Sequence, residues 1–162
     1  MSGARKILIF GGLALAAFGM LYGLHYALFV EHQTLDSMGK SLTEGFVAVA
    51  DQRQPQAHEA VQAYARIKYN YVRQVDSHSH WIGLAMLMIV LGAVFDRVRF
   101  SERTRRWLAI GLQVGSILFP FGVLLQTADG SARLGSVLAT AGAGLVTIAL
   151  AGVAVGFARL RS

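Results

Sequence analysis

Residues 55–97 read PQAHEAVQAYARIKYNYVRQVDSHSHWIGLAMLMIVLGAVFDR. The stretch opens on a proline, and neither Gly nor Pro occurs between Gln56 and Ile82. Because proline is favoured in the first turn of a helix, we expect one helix to begin at Pro55 and to continue unbroken to Arg97. It would be about 64 Å long, more than twice the thickness of a bilayer's hydrocarbon core.

Four apolar runs of the chain are long enough to cross such a core. They cover about residues 7–30, 78–95, 107–126 and 134–158. The 162-residue chain is 54% apolar, with a mean hydropathy of +0.49, which is too apolar for an ordinary soluble domain. The sequence therefore predicts an all-α integral membrane protein, a single membrane domain over 1–162 built as a four-helix bundle.

The basic residues indicate how these spans are oriented. The chain has 15 Lys and Arg against 9 Asp and Glu, and nine of the basic residues lie before the first span, between the second and third, or after the fourth: Arg5, Lys6, Arg97, Arg99, Arg103, Arg105, Arg106, Arg159 and Arg161. By the positive-inside rule we expect both termini in the cytoplasm, most simply at a bacterial inner membrane. This topology accounts for the basic excess without a nucleic-acid partner.

The segment 31–77 between the first two spans carries two periodic apolar stripes. One consists of Leu35, Met38, Leu42, Phe46 and Val49, and the other of Ala57, Val61, Tyr64, Tyr71 and Val75. We expect them to pack against each other in an outward-facing antiparallel helical hairpin that turns near 52–55, with a kink at Gly39 or Gly45. The alternative is a pair of short amphipathic helices lying on the membrane surface.

Four of the five histidines fall at the outward ends of the first two spans: His25, His32, His78 and His80. If the hairpin turns near residue 53, residue n lies level with about residue 107 − n on the other arm. This register places His80 beside Ala27, and so within about 3 Å in depth of His25. Ionisable side chains at this depth usually face the bundle interior and are functional candidates.

Such a cluster suits three kinds of chemistry. His25 with His80, or His25 with His78, could hold a b-type haem between facing helices. Three of the set His25, His32, His78 and His80 could instead bind copper or zinc, with Glu31 or Asp76 in support. Because the chain has no cysteine, thiolate sites are excluded. The remaining interpretation is that the histidines are interfacial and hydrogen-bond to headgroups and carbonyls.

The stretch Val75–Leu84 reads VDSHSHWIGL and opens a helix with an H-x-H pair. It resembles the start of a helix in small four-helix membrane proteins and in catalytic subunits of the haem–copper oxidase superfamily. The resemblance implies a haem or copper role for His78 or His80, with His25 as the partner from the first span. Those catalytic subunits have many more helices, so the resemblance fits a small relative or an accessory subunit.

Together these observations predict a membrane-bound haem b or metal subunit that transfers electrons near the outer leaflet, as a redox subunit rather than a complete enzyme. Its partners would be membrane lipid, other membrane subunits or further copies of itself, and an outward-facing redox protein. A second hypothesis is a non-enzymatic accessory or assembly subunit of a larger membrane complex, with the hairpin as its binding surface. A third is a copper or zinc protein that uses the same histidines.

Overall fold

The computed structural model describes residues 1–128 and 130–159, and over these residues it contains helices and no strands. The helices are α1 (Gly3–Phe29), α2 (Glu31–Ala50), α3 (Gln54–Val94), α4 (Glu102–Leu125) and α5 (Ala132–Ala158), with a 3₁₀ turn at Phe95–Arg97. The predicted all-α fold is confirmed.

Four helical segments are long and apolar enough to cross a membrane: Gly3–Phe29, Gln54–Arg97, Glu102–Leu125 and Ala132–Ala158. They match the four predicted apolar spans in number and order. Large apolar side chains such as Met20 and Ile148 lie exposed on their outer surfaces. In a lipid environment this exposure is expected, and the fold is therefore compatible with an integral membrane protein.

Local sequence signals account for where the helices begin. The Ser2 and Ser101 hydroxyls accept hydrogen bonds from the backbone N–H groups of Arg5 and Thr104, which caps α1 and α4. Pro55 lies in the first turn of α3, where its missing N–H costs no helical hydrogen bond. α3 is a single helix of 41 residues, about 61 Å long.

α1 runs antiparallel to α3, α4 packs against both, and α5 packs chiefly against α4. The centre of this arrangement is filled by buried apolar side chains from all four helices, among them Leu8, Leu15, Trp81, Met88, Leu112 and Val146. The buried Ser77 hydroxyl lies 3.1 Å from the Pro120 carbonyl oxygen of α4 and 2.8 Å from the Arg73 carbonyl oxygen of its own helix, so its one proton is shared between the two acceptors. α3 and α4 are therefore tied together at the level where the predicted histidine cluster begins.

α4 and α5 approach each other backbone to backbone. A Cβ added at Gly142 would lie 2.4 Å from the backbone nitrogen of Phe119, and one at Gly122 would lie 2.3 Å from that of Ala139. Such distances leave no room for any side chain larger than hydrogen. Small residues that allow this approach are typical of helix pairs in membranes, where van der Waals packing supplies the association energy.

The segment formed by α1 and α2 bends at Val30, between the two helices, and not at a glycine. Val30 has φ −122° and ψ −42°, while hydrogen bonds from its N–H to Tyr26 and to its carbonyl from Thr34 continue on either side. α2 is one continuous helix through Gly39 and Gly45, so a break of the helix at either glycine, one of the two outcomes expected there, does not occur. A helical glycine costs only about 1 kcal/mol relative to alanine, and Gly45 is buried against α3.

The bend changes the register between α1 and α3, that is, which residues of the two helices lie level with each other. Near the turn, Gly45 lies opposite Ala60, close to the predicted 107 − n; farther down, Gly23 lies against His78 and Gly12 against Ile89, which corresponds to about 101 − n. The spans are thus shifted by about six residues, or 9 Å, from the predicted register. About four of these six residues arise between Gly45 and Gly23, across Val30, because an interrupted arm uses more residues than the continuous α3 to cover the same distance.

The hairpin interior is also narrower than predicted. α2 contacts α3 through small buried residues, namely Ser41, Gly45 and Ala48 against Ala57 and Ala60. Of the larger apolar residues, Leu42, Phe46, Val49 and Val61 are exposed. Of the two predicted stripes only Ala57 is buried, so the expected packing of their larger side chains against each other is wrong. The small residues bring the backbones too close to leave room for large side chains between them.

Candidate functional site

His78 lies in a groove of α1. Its Nδ1–H donates a hydrogen bond to the Gly19 carbonyl oxygen at 3.0 Å, because a carbonyl can only accept. A Cβ added at Gly23 would lie 2.4 Å from Cε1 of the imidazole. The absence of a side chain at Gly23 thus makes room for the histidine ring, while Gly19 supplies the carbonyl that the ring binds.

Around His78, near the bend at Val30, polar side chains of α3 form hydrogen bonds with α1 and with the start of α2; we call this group the polar seam. The Tyr22 hydroxyl donates a hydrogen bond to the Gln74 amide oxygen, and the Tyr71 hydroxyl donates to Glu31 at 3.3 Å. A cavity of about 290 Å³ opens here, lined by Gly23, Tyr26, Ala27, Glu31, Tyr71, Gln74, Val75 and His78. The pairing of Tyr22 with Gln74 was not foreseen from the sequence, because it depends on the shifted register.

The other histidines have separate surroundings. His80 faces α4, where its ring stacks on Phe119 with the centroids 4.6 Å apart. His25 is exposed on α1, and the centroid of its ring lies 5.3 Å from that of Phe29. His32 is exposed on α2 and lies 3.3 Å from the Asp36 carboxylate one turn along the same helix.

This geometry does not gather the predicted ligands. Within residues 1–128 and 130–159, no three His, Asp or Glu side chains lie close enough together to hold a metal ion. His25 and His80 lie about four residues, or 6 Å, apart in depth under the observed register. His80 stacks on Phe119 of α4 while His25 is exposed on α1, so the structure does not bring the predicted pair His25 and His80 together.

The hairpin presents a different kind of surface. Its apolar face consists of the exposed Leu42, Phe46, Val49 and Val61, and the Phe46 side chain is 74% exposed. A shallow groove of about 130 Å³ runs along this face, floored by Ser41, Gly45 and Ala57. Ion pairs on other parts of α2, such as Lys40 with Glu44 at 3.9 Å, indicate that the rest of the helix is solvated.

Comparisons with known protein families, curated proteins and solved structures find no match for this chain. The fold and the site define an all-helical protein with four segments suited to crossing a membrane, and with a two-helix hairpin formed by α2 and the first part of α3. Any functional conclusion therefore rests on the chemistry of its own residues.

Proposed function

We propose that this chain is a non-enzymatic accessory or assembly subunit of a larger membrane complex, and that the hairpin apolar face docks another protein subunit. The exposure of Phe46 is the observation that carries this proposal. Large exposed apolar side chains that lie together usually mark an interaction site, since a solvated helix gains nothing by presenting them to water.

Lipid does not account for this face as it accounts for the outer surfaces of the spans. If residues 78–95 cross the membrane, the preceding 24 residues of α3 extend about 36 Å beyond it. α2 packs along this extension, and four charged residues lie along it as far as Glu44: Glu31, Asp36, Lys40 and Glu44. A continuous α3 also disfavours the alternative in which two short helices lie flat on the membrane surface.

The groove between α2 and α3 suits a protein partner. Its small floor residues leave a depression into which one or two apolar side chains fit, and Phe46 and Val61 stand on its two sides. Aromatic residues beside such pockets are often the energetic centres of protein interfaces. The partner we propose is another subunit that offers an apolar helix or loop; a second copy of the chain is the competing occupant that the experiment must exclude.

The proposal requires the hairpin to lie outside the cytoplasm, and this can be tested separately. Because the chain has no cysteine, single cysteines can be introduced at Gly39 in the hairpin and at Arg103 between the second and third spans. We expect a membrane-impermeant maleimide to label Gly39→Cys in intact cells and Arg103→Cys only after lysis. The reverse pattern would contradict the topology.

Docking is tested in the native host membrane by photo-crosslinking and native electrophoresis. A photoreactive amino acid at Phe46 should give one discrete crosslinked band, and its mass minus that of the chain should be that of one other subunit. Phe46→Ser combined with Val61→Ser should lower the ratio of assembled to free chain by about tenfold, the effect of about 1.4 kcal/mol on the binding constant.

The matched control is Lys40→Ser with Glu44→Ser, which changes two side chains of α2 outside the apolar face and should leave the assembly intact. A crosslinked band at twice the mass of the chain would mean self-association and would replace the proposed partner with a second copy. An assembly that survives the Phe46 and Val61 changes would refute docking through this face. A haem absorbance lost on His25→Ala would instead support the electron-transfer hypothesis.

A further inference from the structure

A groove of about 500 Å³ lies on the surface of the bundle where α3, α4 and α5 meet, away from the hairpin apolar face. α5 packs chiefly against α4, which leaves the space between α5 and the end of α3 open. Phe119 and Val123 of α4 form one wall of this groove, and the other wall consists of small α5 residues, among them Ala139, Ala143 and Gly144. A Cβ added at Gly144 would meet nothing within 4 Å, so the groove is open at that point.

A positive charge lies at one end of the groove. Arg73 and Gln126 both line it. The guanidinium carbon of Arg73 lies 5.1 Å from the centroid of the Tyr69 ring, and the Tyr69 hydroxyl lies 3.4 Å from Oε1 of Gln126, so the cation is held on the side of α3 that faces Gln126. Within residues 1–128 and 130–159, no carboxylate forms an ion pair with this guanidinium. The groove therefore offers a cation that has no acidic partner there.

From this end the groove descends along the spans. Gly142 packs against Phe119, so residue n of α5 lies level with about residue 261 − n of α4. Thr147, the last lining residue of α5, thus lies level with about residue 114, and Gln126 lies about 12 residues, or 18 Å, farther out. One leaflet of a bilayer's hydrocarbon core is about 15 Å thick. In a membrane-spanning chain the groove therefore covers the depth of one leaflet, with its cation at the interface.

We propose that this groove binds an anionic phospholipid, with the phosphate at Arg73 and one acyl chain lying along the small residues of α5. A guanidinium forms short, charge-assisted hydrogen bonds with phosphate oxygens. The amide oxygen of Gln126 is directed to Tyr69, so its N–H groups are left to donate to the same phosphate. Farther down, the Thr147 hydroxyl donates to the Ala143 carbonyl of its own helix at 2.9 Å and needs no partner from the lipid.

The position of the charge selects this occupant. Arg73 is the one charged residue among those that line the groove, and it lies at the interface end, as the charge of a phospholipid does. A zwitterionic lipid carries a cation beside its phosphate, which the guanidinium repels, so a net negative headgroup is favoured. A small soluble anion would leave the apolar length of the groove uncovered. The proposal does not depend on what the hairpin binds.

The test uses the full-length chain in phosphatidylcholine nanodiscs that contain a trace of phosphatidylglycerol with a diazirine on one acyl chain. Crosslinked peptides are identified by mass spectrometry after irradiation. We expect labelling of residues 139–147 above that of the exposed α1 surface at Met20 and Leu24, which serves as the internal reference for bulk lipid. Photoreactive phosphatidylcholine with the same chains should label residues 139–147 about fivefold less, relative to that reference. An excess of soluble glycerol phosphate should not compete.

Substitution of the cation provides the second arm. Arg73→Gln should lower labelling of residues 139–147 by phosphatidylglycerol to the level given by phosphatidylcholine. Arg66→Gln is the matched control, because it removes the same charge from the same helix about 10 Å farther from the spans. Arg66 does not line the groove, so labelling should not change. Circular dichroism verifies that each variant is folded.

Filling the groove tests the acyl chain separately and does not rely on the arginine variant. Gly144→Leu places a side chain in open space, so the fold should tolerate it, and labelling of residues 139–147 should fall to the level of the α1 reference. Gly83→Leu is the matched control. A Cβ at Gly83 also meets nothing within 4 Å, but Gly83 does not line the groove, so this variant should be labelled as the parent chain is.

Four outcomes would overturn the proposal. Equal labelling by the two lipids would show that the groove does not select charge. Labelling that both Arg73→Gln and Gly144→Leu leave unchanged would show that no lipid is seated there. Labelling of the α1 reference without residues 139–147 would mean that another helix covers the groove. Competition by glycerol phosphate would assign Arg73 to a soluble anion.

Discussion

Gly142→Val is expected to separate α5 from α4. Its side chain would have to occupy a position 2.4 Å from the Phe119 backbone nitrogen, and a helix backbone cannot move aside as a flexible side chain can. We expect the free energy of unfolding in detergent to fall by about 3 kcal/mol, at the upper end of the usual cost of overpacking. Titration with a denaturing detergent, followed by circular dichroism, measures this loss.

The separation of the helices has its own readout. Gly111 faces α5, and a Cβ added there would lie 3.7 Å from the Ala149 Cβ, a spacing compatible with a disulfide. A Gly111→Cys, Ala149→Cys pair should therefore crosslink on oxidation in the parent chain and fail to do so when Gly142→Val is added.

Gly144→Val is the matched control for this experiment. It lies two residues farther along α5, and a Cβ there would meet nothing within 4 Å. We expect it to change the free energy of unfolding by less than about 0.5 kcal/mol, the usual range for surface substitutions. If the two valine variants lose stability equally, the close approach of α4 and α5 is not what holds the helices together.

Trp81→Ala is expected to have an effect of similar size at the α1–α3 interface. Trp81 is 2% exposed and packs edge-on against Phe18 and Tyr22, with ring centroids 4.8 and 5.1 Å away. Removing the indole leaves a cavity, and large-to-small changes of this kind cost about 3–5 kcal/mol. Within a membrane the loss comes from packing contacts, because lipid is as apolar as the protein interior.

The chain supplies its own comparison in Trp107, the other tryptophan. It lies exposed on α4, and Trp107→Ala should change the free energy of unfolding by no more than about 0.5 kcal/mol in the same assay. Equal losses for both tryptophan variants would mean that the centre of the bundle is not packed around Trp81.

Much of the fold follows from local features of the sequence. The four apolar segments could be predicted because hydropathy is a property of consecutive residues and needs no knowledge of their neighbours in space. The unbroken α3 could be predicted because Pro55 favours a helix start and no Gly or Pro follows it up to Ile82. The turn before it was placed near 52–55, and the structure has it at residues 51–53, with Gln52 at a positive φ of 57°.

The candidate sites depended on relations between helices. Only the packed structure has the His78 ring lying against Gly23 and hydrogen-bonded to the Gly19 carbonyl oxygen. The contact between Gly11 and Gln113 likewise depends on how α1 packs against α4. The exposure of Phe46 was not predicted. An apolar stripe indicates burial, but it does not show that the helix will instead pack through the adjacent face of small residues, as α2 does.

The helices could be predicted and the candidate sites could not, and this difference has one physical cause. Helix formation and membrane insertion depend on short-range properties, which the order of residues specifies directly. The direction in which a side chain points depends on the rotation of its helix about the helix axis and on the register between helices. A shift of one residue turns the side chain by about 100° and moves it 1.5 Å along the axis. The rotation of α3 turns His78, and not His80, towards α1, and the break at Val30 sets which α1 residues lie level with it; no feature of the isolated sequence specified either of them.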